Sequence, residues 1–469
     1  MATLASGSMA DEDAVRKRLS SLFDGMMKAA YNSAGAQLSI EILADPRVRE
    51  FIDAHAGVLD SSFERTSMSE AMRRRLQRSD FIFSGMKTFH ELNEAFPSML
   101  DENGERKSFE RFLNDVRSID ETYNSHYLRA EYNFVSASAE MAAKWEEFER
   151  DGDQYNLQYR TQKDDKVRPE HAALDGVTLP PSDSFWSEFY PPNGWNCRCT
   201  VVQVRKSKYP ATNHDEAMTL GDVALQKDSK GMFHFNAGIE QSTVPDYNPY
   251  TISKCRNCNI AKDKGTLAKD TPPDNQVCAV CHCIRDIANQ IEANRQVYER
   301  LRKDPDYHSV EFDPATGGVK AIHNGHIIHS SEKEKTFFGN ENLTSTDLEL
   351  LCQDVLFRKG HRCILLDEQQ LDSRGKQLPQ LDTETDGMMI DIRAITERGE
   401  NTIRNSLKSK KKQLKNFNSK TGADCHGVIL YFHDSAMFDE AQIVSQLGQT
   451  LDTIICVFRN GEIKKYKKS

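Results

Sequence analysis

The sequence predicts a multidomain chain. A mainly α N-terminal half leads into an irregular Pro/Trp/Cys-rich motif, a small zinc-ribbon-like module follows, and an α/β (α+β) C-terminal domain closes the chain. Three observations carry this reading. Apolar residues recur at helical spacing from Asp11 to about Phe148. Two Cys-x-x-Cys pairs stand farther on at metal-site spacing. From about Tyr307 onward, strand-like apolar runs alternate with amphipathic stretches. The boundaries read as 1–110 for a helical region, 111–205 for a domain built on the motif, 206–304 for a connector holding the cysteine module (251–286) and a spacer helix, and 305–469 for the last domain.

The totals bound the function. The chain has 469 residues, 28% charged and 38% apolar, with a net charge of −10. That is an ordinary globular composition, and the acidic balance gives no global reason to expect nucleic-acid binding. No apolar run approaches the ~20 residues of a membrane span, and Met1–Ala10 lacks the basic and apolar regions of a signal peptide. Eleven cysteines, partly in Cys-x-x-Cys pairs, point to a reducing cytoplasm and metal binding rather than a disulfide scaffold.

In the first half, Leu19, Leu22, Met26 and Met27 mark one helical face, and Phe109, Phe112 and Val116 another. Pro46 and Pro97 punctuate the run, and Asn103-Gly104 reads as a turn. The stretch from Arg168 to Thr200 is different. Pro169, Pro180, Pro181, Pro191 and Pro192 keep it out of helices and central strands. It holds Trp186 and Trp195, which must pack on something. His171, Asp175, Cys197 and Cys199 can ligate a metal or hold a rigid polar network, and Cys197 and Cys199 stand too close in sequence to favour a mutual disulfide.

After a short strand at Val201, Val202 and Val204, the alternation Lys230–Asn236 reads as an edge strand or hairpin. Cys255, Cys258, Cys278 and Cys281 then form two Cys-x-x-Cys turns separated by nineteen residues, the spacing of a closed, structural four-cysteine zinc site. Ile284–Leu301 reads as an amphipathic spacer helix.

The last domain reads as a hairpin over Phe312–Ala321, a helix over Leu343–Arg358 and a strand at Cys363–Leu366. Next come an alternating strand Met388–Ile395 and a helix Thr402–Phe417, then a central strand Gly427–Phe432 and a helix Phe438–Leu451. A terminal hairpin turns at Asn460-Gly461. Between Asn401 and Lys420 stand seven basic residues and no acidic one, Arg404, Lys408, Lys411, Lys412 and Lys415 among them. Such a local cationic face, inside an acidic protein, favours phosphate binding. On the Met388–Ile395 strand, Asp391 and Arg393 share one face.

Two families share these patterns. Arg168-x-x-His171-x-x-Leu174-Asp175-Gly176, then Phe185-Trp186, then Pro191-Pro192-x-Gly194-Trp195-x-Cys197-Arg198-Cys199 resembles the signature of the Mu-F-like phage head morphogenesis (minor capsid) family, over roughly Tyr155–Val202. The resemblance implies a few-copy virion component with portal and capsid proteins as partners. Its expected location is the host bacterial cytoplasm during assembly and then the head interior.

The last domain resembles the nuclease toxins at the C-termini of contact-dependent-inhibition (CdiA-type) proteins and of Mu-F-type head proteins. In those, an acidic-x-basic strand precedes a Lys-rich helix like Asn401–Gln413. That resemblance implies a nuclease with Asp386, Asp391 and Arg393 as catalytic residues, and RNA, tRNA first, as substrate with DNA as the alternative; of His361, His426 and His433, the last, at the end of the central strand, is the best placed to join them. The resemblance raises an immunity protein as a further partner. The usual strand lysine is Arg393 here, which binds phosphate well but moves protons poorly. Two chemistries fit: a metal-independent RNase with His433 or a carboxylate shuttling protons, or a PD-(D/E)xK-like nuclease with Mg2+ on Asp386 and Asp391. A purely structural domain that grips DNA or a head partner is the competing class.

Overall fold

The computed structural model describes residues 12–33, 38–228, 231–251, 279–328, 336–338, 341–371, 375–376, 378–396, 398–399 and 401–468. The chain divides into two compact units, Met1–Ala288 and Asn289–Ser469.

The first unit begins as a helical bundle of Glu12–Asn32, Pro46–Ser61, Glu70–Ala95 and Leu128–Asp151. Pro46 opens a helix instead of ending one. It occupies the first turn, where its missing N–H costs nothing, and the Asp45 side chain caps Arg47 N. Ser69 caps Glu70–Ala95 in the same way. That helix is buried almost all round from Asp80 to Leu92, as expected of a helix at the centre of a bundle. Its interior is not wholly apolar. The Lys87 ammonium is fully enclosed and donates to Glu131 Oε2 at 2.7 Å and to the Tyr123 carbonyl at 2.7 Å, with His55 Nε2 at 2.9 Å. Tyr250 donates to the other Glu131 oxygen at 2.6 Å.

Beyond the bundle, β1 (Asn156–Arg160), β2 (Thr178–Leu179) and β3 (Thr200–Val204) form an antiparallel sheet in the order β2-β1-β3. Its core joins Trp145, Phe148, Leu157, Tyr159, Trp186, Phe189, Tyr190 and Val201. The edge strand expected at Lys230–Asn236 does not form. Lys230 lies outside the described residues, and 231–236 are turn and coil leading into a helical turn capped by Asn236. The alternating apolar residues there dock singly, Phe233 on Trp195 and Phe134, so no partner strand is recruited. Of the expected zinc ligands, Cys255, Cys258 and Cys278 lie outside the described residues. Cys281 is buried in the first turn of the helix Ala279–Leu301, which starts five residues before the expected Ile284.

The second unit is organised on an eight-stranded mixed sheet. Its strands are β4 (Tyr307–Phe312), β5 (Val319–His323), β8 (Arg362–Leu365), β9 (Thr383–Thr385), β10 (Met388–Ile395), β11 (Gly427–Phe432), β12 (Thr453–Phe458) and β13 (Ile463–Lys467), in the order β13-β12-β11-β10-β9-β8-β5-β4. A separate small hairpin pairs β6 (Thr336–Phe338) with β7 (Glu341–Leu343). β10, β11 and β12 run parallel, and β8, β9 and β10 form an antiparallel meander. The helix Ser345–Arg358 covers one face through Leu348, Cys352 and Leu356, packed on Ile390 and Ile392 of β10. The helix Thr402–Thr421 covers the other through Ile403, Leu407 and Leu414, packed on Ile395, Val428 and Leu430. The strand period of two therefore puts Asp391 and Arg393 on the side of the lysine-rich helix. The helix expected over Phe438–Leu451 shrinks to Glu440–Val444, because Gly448 and Leu451 bridge to each other and turn the chain.

Candidate functional site

In the first unit the Pro/Trp/Cys motif folds into a knot. Pro169–Ala172 makes a single helical turn that presents His171. The return through Gly194 brings Cys197 Sγ to 3.8 Å and Cys199 Sγ to 4.0 Å from His171 Nδ1, all three side chains being buried. Arg168 donates to the Trp195 carbonyl at 2.6 Å. It passes so close to Gly194 (φ 155°) that a Cβ there would lie 2.8 Å from its guanidinium. Gly194→Ala is therefore expected to displace Arg168 and destabilise the first unit by about 1–3 kcal/mol, the usual cost of overpacking. All three tryptophans lie in this unit, so a fluorescence-monitored melt reads it. Trp186 is fully buried and donates to the Pro180 carbonyl at 3.1 Å. Trp195 packs on Phe134 with ring centroids 4.9 Å apart.

Asp175 does not join the His171 cluster. Its carboxylate receives Thr161 N at 2.9 Å and Lys163 Nζ at 3.0 Å, and it pins the turn that Gly176 (φ 91°) completes. Burial opposes its charge, but the Thr161 amide and Lys163 outweigh it and hold Asp175 below the usual carboxylate range.

In the second unit the charged residues of β10 meet an unexpected partner. Asp386 and Gly387 both have positive φ, 49° and 87°, and make the tight turn between β9 and β10. With Thr383 opposite Ile390, the next step of the ladder sets Asp382 opposite Asp391, a separation of roughly 5 Å between Cβ atoms. Asp382 Oδ2 accepts the Ile392 amide at 2.8 Å. Asp391 is fully buried, in ion-pair contact with Lys410 and 3.4 Å from Gln413 Nε2. Burial first, and then the charge of Asp391, push the Asp382 carboxyl well above its usual range; Lys410 opposes the shift and Glu349 adds to it. Glu349 and Glu368 in turn hold His326, at 3.3 and 3.0 Å. Burial disfavours that imidazolium, yet the two carboxylates raise its pKa to about 10.

The expected catalytic set is thus split. Asp391 and Arg393 share the face of the Thr402–Thr421 helix. Asp386 sits at the far end of the hairpin, five residues from Asp391 at ~3.3 Å per strand residue, where it binds His361 Nδ1 at 2.6 Å and the Arg362 amide at 2.9 Å. His433 follows β11 on the opposite sheet face, 2.7 Å from Glu341 and 2.8 Å from Arg459. Of the basic residues, Arg404, Lys408, Lys412 and Lys415 are exposed, while Lys411 reaches Gln446 at 3.3 Å. Asp382, Gln413 and Glu349 were missed, and Lys410 was read only as one of the basic run. The signal was present: Asp386-Gly387 is a hairpin turn dipeptide, and folding the chain about it pairs Asp382 with Asp391.

Residues 101–202, within the first unit, match the family described as Phage Mu protein F like protein. The chain is similar to the "Putative capsid assembly protein F" of Escherichia phage Mu, 30% identical over 167 residues, which cover 34% of this chain and 35% of that protein. It is also similar to the "Mu-like prophage FluMu F protein" of Haemophilus influenzae, 33% identical over 78 residues covering 15% of this chain and 19% of that one. The chain thus spans about a third of the first relative's length and less of the second. No solved structure matches. The chain carries a Mu F-like domain, and no described helix is long and apolar enough to cross a membrane.

Proposed function

We propose that this protein is a phage head morphogenesis component, assembled in the host cytoplasm with portal and capsid proteins and carried in the head interior, whose second unit is a nuclease. The first half of the proposal rests on the Mu F-like domain and on the printed role of the phage Mu relative in capsid assembly.

The second half rests on one observation: two carboxylates, Asp382 and Asp391, opposed on the sheet face that also carries Arg393 and the lysine-rich helix. Paired like charges at this separation are costly without a cation between them. Lys410 supplies one positive charge against the two carboxylates. That donor set fits Mg2+, which Asp382 and Asp391 would hold. When bound, Mg2+ supplies charge to a scissile phosphate and lowers the pKa of a coordinated water. Arg393 and Lys410 stabilise negative charge developing on the phosphate, and Arg404, Lys408, Lys412 and Lys415 track the backbone.

The metal-dependent route is therefore preferred to the cyclising RNase. His433, one of the two proton shuttles considered for the second route, is engaged by Glu341 and Arg459 on the other face. RNA remains the first substrate to test, tRNA before others, with an immunity protein as the expected inhibitor.

The full chain is expected to cleave tRNA, other RNA or duplex DNA in Mg2+ and to lose that activity in EDTA. Asp386→Asn is expected to keep cleavage within about threefold of wild type, because a charge roughly 15 Å away along the strand lies beyond the ~8 Å Debye length of physiological salt. Binding of nucleic acid with no cleavage under any condition would reduce the second unit to a structural DNA- or partner-binding domain.

A further inference from the structure

We propose that His171, Cys197 and Cys199 bind one Zn2+ ion, separate from the four-cysteine module and independent of the nuclease reading. The three donor atoms lie within 4.8 Å of one another and all three residues are buried. Tetrahedral zinc with Zn–S ≈ 2.3 Å and Zn–N ≈ 2.0–2.1 Å sets sulfur and nitrogen about 3.5–3.6 Å apart. The observed 3.8 and 4.0 Å from His171 Nδ1 need only a few tenths of an ångström of contraction.

The donor chemistry is selective. Two thiolates and a neutral imidazole suit zinc over magnesium or calcium, and their two negative charges cancel the ion's, so the loaded site is neutral and tolerates burial. Binding releases the two thiol protons to solvent and forms two Zn–S bonds and one Zn–N bond, with no change of oxidation state.

The backbone is already committed to the site. Arg168 is tied to the Trp195 carbonyl at 2.6 Å, and Asn196, φ 58°, takes the left-handed conformation that turns Cys197 inward. A cavity of about 260 Å3 opens on the cluster, lined by Lys166, Arg168, Asn196 and the three ligands among others. Three protein ligands beside an open space leave the fourth zinc position for water or for a donor from an assembly partner. The ion would clamp the Pro169–Ala172 turn to the loop entering β3, cross-linking the two halves of the signature without a disulfide.

The test uses the full chain, with metal content measured by mass spectrometry after gel filtration. Cys255→Ser/Cys258→Ser, which removes two of the four cysteines expected to form the other module, is expected to retain one zinc per chain. Adding Cys197→Ser/Cys199→Ser is expected to remove it. Cobalt(II) loaded into the first variant should show intense thiolate-to-metal charge transfer that the second lacks. A first variant that binds no zinc, or identical zinc content in the two, overturns the proposal. Because the serine variants could fail to fold, the unsubstituted chain supplies a second readout. Alkylation of Cys197 and Cys199, mapped by peptide mass, is expected to accelerate roughly tenfold or more when a chelator strips the metal and to slow again on zinc addition. Equal rates in the loaded and stripped chain overturn it as well.

Discussion

Asp391→Asn is expected to lower phosphodiester cleavage by the full chain by roughly 10²–10⁴-fold, the range associated with losing one positioned charge or proton-transfer group. The substitution keeps the side-chain shape and the Gln413 contact but removes the negative charge that faces Asp382 and Lys410. Asp382→Asn should act in the same direction, since either change dismantles the cation site. With Asp391 neutral, the Asp382 carboxyl should fall toward its usual range, because one cause of its elevation is gone. Cleavage assays on tRNA and duplex DNA across a Mg2+ series would read the loss, with the far-UV spectrum as the control for fold. Wild-type activity in both variants would remove this site from consideration.

Lys87→Met is expected to destabilise the first unit by about 3–5 kcal/mol, the cost of breaking a buried ion pair from one side. Lys87 is fully enclosed, and its removal strands Glu131 among His55 and Tyr250. Replacing both charges, as in Lys87→Met/Glu131→Leu, should recover part of the loss.

The same cluster sets a pH signature. Glu91 is pushed up to about 8 by burial, against Lys87 and Asn124. The folded chain therefore keeps a proton that the unfolded chain releases above about 4.5, and stability falls as pH rises from there through 8. His55 is lowered to about 4 by burial and by Lys87, so its contribution is lost as pH falls from 6.5 through 4. Glu131 feels the opposing effect of burial, yet Lys87 and His55 bring it to about 2, and its contribution is lost as pH falls below about 4.5. The first unit should thus be most stable between about pH 4.5 and 6.5. Glu91→Gln should flatten the alkaline decline in tryptophan-monitored melts, and an unchanged slope would assign that decline elsewhere.

Periodicity made most of the architecture legible. β10, β11 and β12 read directly from Met388–Ile395, Gly427–Phe432 and Thr453–Phe458 because burial enforces apolar runs there. The helix Thr402–Thr421 read from Ile403, Leu407 and Leu414 for the same reason. β9 escaped because Thr383–Thr385 is short and polar, and its strand character comes from being paired on both sides. That omission carried into the site. Without β9, Asp386 looked like the natural companion of Asp391, whereas its positive φ makes it a turn residue. Lys410 was legible as basic but not as a buried partner, because helical phase alone does not say which lysine of a run turns inward to meet an acid. In the signature segment, His171, Cys197 and Cys199 were legible as a set, while Asp175 was drawn in by proximity in sequence and proved to serve Thr161 and Lys163.

The first unit also fixes when this polypeptide can finish folding. Asp80 accepts from the Thr243 hydroxyl, Ser79 meets Ser242 at 2.6 Å, and one oxygen of Glu131 waits for the hydroxyl of Tyr250. A nascent chain halted after the last signature cysteine would leave those acceptors unmatched, so a truncation ending near Val204 should be recovered as aggregate while one ending beyond Ala288, the end of the first unit, stays dispersed. Ribosomal synthesis must proceed as far as Ile284, which packs against Gly85 of the central helix, well past the family-matched segment that ends at residue 202, before the bundle can close.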